Sequence, residues 1–518
     1  MFAIRRKAWG YAADQRPSTH PVAPADVSDA AQALVNFDGI SYAKGAAVLR
    51  QLAAWIGDEA FLNGLRAHIA AHRFGNATLA DLLAAFSAAS GRDLAVWAEV
   101  WLRHAQVNTL RTEVELDSAG RYARVAVVQS APPEHPVLRP HRIGIGCYDH
   151  DGTAARLVDR FEVDVDPTAD GGRTVLTRLA GRPAARLLLP NDGDLAYAKI
   201  RLDPASVAAV PELLPTLADP LARAVLWGEV LDAVTDAERP VADLVALIRT
   251  ALPAETEVII VEAVLTLAGA LIDRYLDAAG RRATWAQLAQ TAEHILATAP
   301  TAAVDDVTGD GRSIRLAAFR ALVASCADDT RLAGWLAGRG VPAGITIDTE
   351  LRWTVLSRRC VLGTVGEAEI AAEERADRSA TGQQWAAGCR AALPDPAAKE
   401  RAWRIITVDD SLSNRLVEVT AAAFWQPDQQ ELTEPYVERY FAEIPAMARR
   451  RTAWMAEAVA ARAFPRYAVT ERTRQLAAAL LARDDLTAGL RRAVTDADDD
   501  LRRALRARTA DEMLPTIR

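Results

Sequence analysis

The 518-residue sequence has few cysteines and no long apolar run. Its four cysteines, Cys147, Cys326, Cys360 and Cys389, are far apart in sequence, with no CxxC pair and no catalytic cysteine signature. We expect buried, reduced thiols and a cytoplasmic protein. No stretch approaches the ~20 apolar residues that span a bilayer. The basic residues 5–7 are not followed by the apolar stretch of a secretory signal.

The sequence also lacks an excess of positive charge. Sixty lysines and arginines stand against 68 aspartates and glutamates, which gives a net charge of −8. Such a chain has no field that attracts nucleic acid or an anionic membrane surface, so we expect neither as a partner. Half of the residues are hydrophobic and a quarter are charged, as in ordinary globular proteins. The length predicts roughly three domains.

Three segments with different hydrophobic periodicity follow one another. Residues 1–105 carry apolar side chains at helical spacing, with Thr78 as a candidate N-cap, and predict a packed helical subdomain. Residues 106–204 alternate apolar and polar positions, as in Ile143-Gly144-Ile145, which predicts a small β-sandwich of about seven strands. Residues 205–518 form helical segments without a strict repeat, which predicts a large α-helical superhelix. The predicted fold class is therefore multidomain α with a β-sandwich.

Common hydrolase motifs are missing as well. A zinc peptidase of the HExxH type needs two histidines one helical turn apart and a glutamate general base between them. The one pair with this spacing, His68 and His72, has Ile69 in the glutamate position, so we interpret both histidines as surface or packing residues. No GxSxG, P-loop or dinucleotide-binding glycine pattern occurs. We interpret GIGC at 144–147 as structural, and the acidic run at 496–500 as a solvated helix start.

The stretch NFDGISYAKGAAVLRQL, residues 36–52, places Tyr42 where a loop gives way to an apolar-faced helix. Asp38 can cap a helix that begins near Ile40, and Gly45 permits close approach of another backbone. The free N–H groups of a first helical turn favour negative charge. A phenol at this position can donate a hydrogen bond to a developing oxyanion. The alternative is a packed ring with a hydrogen-bonded hydroxyl.

At these residues the sequence resembles the aminopeptidase N family of zinc metallopeptidases, peptidase family M1, in an actinobacterial form. The resemblance rests first on STHPV at 18–22 and FDGISYAKGAAVLRQL at 37–52. Other similar stretches extend it over essentially the whole chain: FGNATLADLLAAFSAASGRDLAVWAEVWL at 74–102, VNTLR at 107–111, NDGDLAYAKIRLD at 191–203, RAVLWGEVLDAV at 223–234, LRWTVLSRRCVLG at 351–363 and FWQPDQQELTEPYVERYF at 424–441.

The resemblance implies an architecture and one catalytic residue. Residues 1–105 would be the C-terminal helical part of a thermolysin-like catalytic domain, 106–204 a β-sandwich domain, and 205–518 an ERAP-like helical C-terminal domain. Through the YxKG pattern, it implies that Tyr42 stabilises the oxyanion of the tetrahedral intermediate. The activity implied is removal of N-terminal residues from peptides by a zinc enzyme.

The family's metal-binding parts have no counterpart here. Its HExxH motif, the glutamate that completes the zinc site, and the GxMEN loop that grips the substrate's amino group all precede the tyrosine motif, and only 41 residues precede Tyr42. We therefore expect no zinc on this chain alone and no peptide hydrolysis by it. We also expect partly exposed apolar faces on the helices near Tyr42, and poor order over residues 1 to about 35.

Two hypotheses of different classes follow. In the first, the chain is the C-terminal portion of a zinc aminopeptidase of the alanyl aminopeptidase type, which acts on peptides together with an N-terminal half, encoded upstream or separately. In the second, it is a non-catalytic helical module that binds peptides or partners, or a decayed gene product. The DNA upstream of Met1 would separate them, because a continuation that encodes HExxH favours the first.

Overall fold

The computed structural model describes residues 2–24, 38–300 and 310–513. The chain divides into two compact units, Met1–Ala233 and Val234–Arg518. Within the described residues, 22 α-helices and seven β-strands follow one another in the order helices, strands, helices. This order confirms the predicted multidomain α class with a β-sandwich. The three domain boundaries stay a prediction.

The first unit begins with helices in a segment that was expected to be poorly ordered. A π-helical turn over Phe2–Arg6 continues into α1 (Lys7–Asp14), so the expectation of poor order is wrong for this part. Residues 25–37 lie outside the described residues. A second π-helical turn over Ile40–Lys44 leads into the next helices: α2 (Gly45–Ile56), α3 (Asp58–Ala71), α4 (Leu79–Ser90) and α5 (Ala95–Leu102).

These helices end and pack as their sequence predicts. Thr78 caps α4 in a capping box, because its hydroxyl accepts from Asp81 N–H while the Asp81 carboxylate accepts from Thr78 N–H. Gly91 closes the same helix in the left-handed conformation. The apolar faces of α2 and α5 meet around Trp97 and Trp101, which are both buried.

Seven strands form the two sheets of the sandwich. One sheet has the order β5-β2-β1-β7 and the other β4-β3-β6. All pairs are antiparallel except β1 with β7. The strands are β1 (Thr109–Leu116), β2 (Tyr122–Ser130), β3 (His141–His150), β4 (Ala155–Val165), β5 (Arg173–Val175), β6 (Leu187–Asp192) and β7 (Lys199–Arg201).

The alternation in β3 has the predicted consequence. Ile143 and Ile145 face the sandwich core. On the other face, a Cβ on Gly146 would lie 2.0 Å from Asp192 Oδ2, and one on Gly144 would lie 2.1 Å from Asp192 O. The two glycines therefore make room for β6 and its buried carboxylate, which agrees with the structural interpretation of GIGC.

After the sandwich, the chain is helical to its last described residue. In the second unit, several helices pack on the helix two places further along the chain, as in stacked helical pairs, and others pack on their immediate neighbour. The helices are α6 (Pro204–Leu213), α7 (Pro220–Thr235), α8 (Val241–Ala251), α9 (Val258–Tyr275), α10 (Ala278–Thr298), α11 (Asp310–Ser325), α12 (Asp329–Leu336), α13 (Thr349–Leu362), α14 (Glu367–Ala376), α15 (Ala380–Ala392), α16 (Pro396–Thr407), α17 (Asn414–Phe424), α18 (Gln430–Thr433), α19 (Pro435–Arg450), α20 (Ala453–Ala463), α21 (Glu471–Leu481) and α22 (Ala488–Met513).

Two global sequence expectations can be compared with this fold. All four cysteines are free and buried, which confirms the prediction of buried, reduced thiols. Among the described helices, none combines the length and the apolar character that crossing a bilayer requires.

Candidate functional site

Tyr42 lies in the π-helical turn that precedes α2. The turn buries Ile40, Ala43 and Lys44 almost completely, whereas Tyr42 keeps 55% of its surface exposed. The backbone N–H of Tyr42 donates to Asp38 O over 3.2 Å. One side of the turn is thus packed in the protein interior, and the Tyr42 phenol lies on the protein surface.

The predicted cap at the start of this turn is present. Asp38 Oδ1 accepts from the N–H groups of Ile40 at 2.8 Å and Ser41 at 3.2 Å. Its second oxygen, Oδ2, lies 3.0 Å from His20 Nε2, so the STHPV stretch meets the Tyr42 turn. Partial burial alone would raise the pKa of Asp38, but the hydrogen bond and charge of His20, with the two backbone bonds, outweigh burial and lower it. Asp38 is therefore held as a carboxylate cap.

Lys44 anchors the turn on its buried side. It is fully buried, and its Nζ lies 2.9 Å from Asp14 Oδ2 on α1. Nζ also donates to the carbonyl oxygens of Gln106 at 3.2 Å and His104 at 3.4 Å. Burial lowers the pKa of Lys44 to about 8, and the Asp14 charge opposes that shift. Asp14 in turn accepts from Thr19 Oγ1 and from Gln106 N–H, both at 2.9 Å.

Helix α1 packs closely against the turn that carries Tyr42. A Cβ on Gly39 would lie 2.7 Å from Trp9 O, and one on Gly10 would lie 3.2 Å from Ala43 Cβ. These two glycines therefore let α1 cross the turn in contact. Gly45 was predicted to permit such an approach, but the nearest atom to a Cβ there is a side-chain carbon 3.6 Å away. The close backbone approach therefore lies at Gly39, immediately before the turn, and not at Gly45, immediately after it.

Sequence reasoning missed the role of α1. Its residues Lys7, Tyr11 and Asp14 follow i, i+4, i+7 spacing and share one face. Lys7 forms a buried ion pair with Asp194. Tyr11 donates to Ala198 O over 2.7 Å. Because this face is polar, it gave no hydrophobic periodicity; its regular spacing was the signal that could have found it.

The two histidines at zinc-ligand spacing do not form a metal site with other described residues. His68 lies in the last turn of α3 and His72 directly follows this helix, with their ring centroids 5.0 Å apart. Within the described parts of the chain, no group of three or more His, Cys, Asp or Glu side chains can hold a metal ion. The position between the two histidines is Ile69, which is 57% exposed and can neither bind metal nor accept a proton. These residues do not fit zinc.

The order of domains and the tyrosine turn together define a class of protein. Residues 187–503 match the family described as the ERAP1-like C-terminal domain, and residues 2–101 match the peptidase family M1 domain. The chain therefore belongs to the aminopeptidase N family, peptidase family M1. Both matches fall on the segments that the sequence resemblance assigned to that family.

Particular relatives belong to the same family. The chain is 40% identical to "Aminopeptidase N" of Streptomyces lividans over 519 aligned residues, which is 98% of this chain and 59% of that protein. It is 34% identical to "Alanine/arginine aminopeptidase" of Saccharomyces cerevisiae over 90 residues, 17% of this chain and 10% of the relative. It is 38% identical to "Aminopeptidase N" of Lactococcus lactis over 79 residues, 15% of this chain and 9% of the relative. The chain thus spans 59% of the length of the Streptomyces protein.

Proposed function

We propose that this chain supplies the oxyanion-stabilising tyrosine and the C-terminal domains of a zinc metallo-aminopeptidase that removes N-terminal residues from peptides. The observation that carries the proposal is the geometry of Tyr42. The turn is capped by Asp38, anchored by Lys44, and still exposes more than half of the phenol. Membership of peptidase family M1 supports the reaction class.

In this function, Tyr42 donates a hydrogen bond from its hydroxyl to the oxygen that becomes negative when the scissile carbonyl turns tetrahedral. A donor helps most when it is already oriented before the charge develops. The capped and anchored turn supplies such orientation, because the Asp38 carboxylate accepts from backbone N–H groups at its start and the Lys44 ammonium donates to the Gln106 carbonyl at its end. Loss of one oxyanion donor costs about 10²–10³ in kcat.

We propose that zinc, the general base and the amino-group-binding loop come from polypeptide outside these 518 residues. The 518 residues alone then bind no catalytic zinc and do not hydrolyse peptides. A further feature supports a docked partner segment: large apolar side chains are exposed within residues 1–105. They are Trp9, Tyr42, Leu49, Leu62, Ile69, Phe74 and Val96. Phe74 is fully exposed and has φ 58°, a conformation that bulky residues rarely adopt.

We also propose a cytoplasmic location with peptides as substrates and without nucleic acid or membrane partners. The four buried free thiols support a reducing compartment. The net charge of −8 supports the absence of polyanion binding.

The test is reconstitution with the part that this chain does not match. The 518-residue chain is mixed with a separately expressed fragment of the Streptomyces relative that covers its remaining segment, and cleavage of alanine p-nitroanilide is measured. We expect no turnover by the chain alone, a complex on size exclusion, and turnover by the mixture. Tyr42→Phe should lower kcat about 10²–10³-fold. Tyr467→Phe, at a partly exposed tyrosine of the second unit, is the matched control.

Three outcomes would contradict the proposal in different places. Full activity of the Tyr42→Phe mixture would remove the role of Tyr42. Chelator-sensitive hydrolysis by the purified 518-residue chain alone would show that its own residues bind the metal. Failure of the two polypeptides to associate would refute the docking surface proposed for the exposed apolar side chains of residues 1–105.

A further inference from the structure

A buried charge pair lies directly beneath the tyrosine that faces outward. Lys44 follows Tyr42 by two residues in the same turn, and both Lys44 and Asp14 have no exposed surface. A lysine is rarely buried completely, and its aliphatic stem could have been supplied by an apolar residue. The ammonium group must therefore do something that packing alone does not.

We propose that Lys44, held by Asp14, is the positioning residue that fixes Tyr42 for oxyanion stabilisation, and that this makes the placement of the Tyr42 side chain depend on pH. The inference rests on the proposed function for its catalytic meaning. Its structural content, a pH-dependent position of residue 42, stands by itself.

The contacts of Lys44 connect the turn with two other parts of the first unit. Nζ reaches Asp14 on α1 and the carbonyl oxygens of His104 and Gln106 in the segment after α5. Gln106 also donates its N–H to Asp14 Oδ1 at 2.9 Å, so carboxylate, ammonium and this segment close a ring of hydrogen bonds. The turn cannot shift relative to α1 or to this segment without breaking that ring.

The charged and titratable groups that face Lys44 determine how it responds to pH. Asp14 is its counter-charge, and Arg139 repels it from the segment before β3. The ring of Tyr197 lies 5.9 Å from Nζ. Burial lowers the pKa of Lys44 to about 8, so the ammonium is present below that pH and lost above it. When the proton leaves, Asp14 faces a neutral amine, and the attraction that fixes the turn is lost.

The experiment places a reporter at position 42 that does not itself titrate. A trifluoromethyl-phenylalanine is incorporated there in the full 518-residue chain, and its ¹⁹F signal is followed from pH 6 to pH 10. We expect one signal at pH 6 that changes with a midpoint of about 8. In Lys44→Met, the signal should resemble the high-pH form at every pH. In Asp14→Asn, the midpoint should fall, because the ammonium loses its counter-charge.

A matched variant separates positioning from general destabilisation. Lys399→Met removes another fully buried lysine, in the second unit, and should leave the ¹⁹F titration unchanged. Should Lys44→Met fail to fold, the wild-type titration and Asp14→Asn still decide. A wild-type signal without a transition between pH 6 and 10, or a midpoint that Asp14→Asn leaves in place, overturns the proposal.

The reconstituted enzyme distinguishes the two proposals. If Tyr42→Phe keeps full activity while the ¹⁹F titration follows Lys44, the catalytic role fails and the positioning stands. If Tyr42→Phe is inactive while the ¹⁹F titration is the same with and without Lys44, the catalytic role stands and the positioning fails. When both proposals hold, the kcat of the wild-type enzyme declines above pH 8. Lys44→Met then lowers kcat at pH 7 and shows no such decline, with KM little changed.

Discussion

His141 at the start of β3 should make the first unit sensitive to acid. The imidazole is fully buried, with its ring centroid 5.0 Å from that of Trp101 in an edge-on arrangement. Neither ring nitrogen has a hydrogen-bond partner among the described residues. Burial, with the positive charges of Arg139 and Lys7, lowers the pKa of His141 to about 3. The folded protein therefore holds a neutral ring where the unfolded chain binds a proton.

The size of the effect follows from the two pKa values. Between pH 6.5 and 3, unfolding takes up a proton at His141, so the free energy of unfolding falls as the pH falls. The stabilisation is complete above pH 6.5 and is lost on the way down to about 3. At pH 5, which lies about 1.5 units below the unfolded-state value, the loss is about 2 kcal/mol at 1.36 kcal/mol per unit.

His141→Phe keeps an apolar ring against Trp101 and removes the proton acceptor. Hydrogen exchange of the β3 amides, corrected for intrinsic rates, gives the free energy of opening at pH 7.5 and pH 5. The wild-type protein should lose about 2 kcal/mol more than His141→Phe over this interval. His135→Phe, a partly exposed histidine in the loop before β3, should behave like the wild type. Equal pH dependence of wild type and His141→Phe would refute the reasoning.

Two further predictions concern single side chains. Lys399 is buried and donates to Ala391 O at 2.8 Å and Phe424 O at 2.7 Å, and burial lowers its pKa to about 7. Above pH 7, unfolding therefore takes up a proton at Lys399. The free energy of unfolding of the wild type, measured in urea, should rise by up to about 1.4 kcal/mol per pH unit from this group. Lys399→Met should lack that rise, and the same dependence of stability on pH in both proteins would contradict the assignment. Thr78→Ala should lower the stability of α4 by about 1 kcal/mol in hydrogen exchange, whereas Thr78→Ser should not, and equal protection in both variants would exclude the capping box as its cause.

The features that sequence predicted correctly depend on neighbours in the chain. The Thr78 cap joins residues three apart, and the Asp38 cap joins residues two and three apart. The inward direction of Ile143 and Ile145 follows from the two-residue period of a strand. Such patterns can be read from the sequence, because one short stretch supplies both the donor and the acceptor of a cap. In the same way, one strand supplies the residues of both faces of its sheet.

The missed features depend on pairing across the chain. Lys7 and Asp194 are 187 residues apart, and the face of α1 that they secure contains charged and polar groups. Hydrophobic periodicity cannot detect such a face. For the same reason, Gly39 was passed over in favour of Gly45, since only the path of α1 shows which glycine another backbone approaches. Likewise, the sequence predicted that Tyr42 lies at the start of a helix, but only the fold shows that its side chain is exposed.

The long-range clamp between α1 and the end of the sandwich has a consequence for how this chain can be dissected. A polypeptide trimmed to the seven strands would strip Asp194 of its ammonium partner and leave the carbonyl of Ala198 without its phenolic donor. An uncompensated carboxylate in a dry environment is costly. The strands and the first helix therefore belong in one expression fragment, even though almost the whole of the first unit separates them along the backbone.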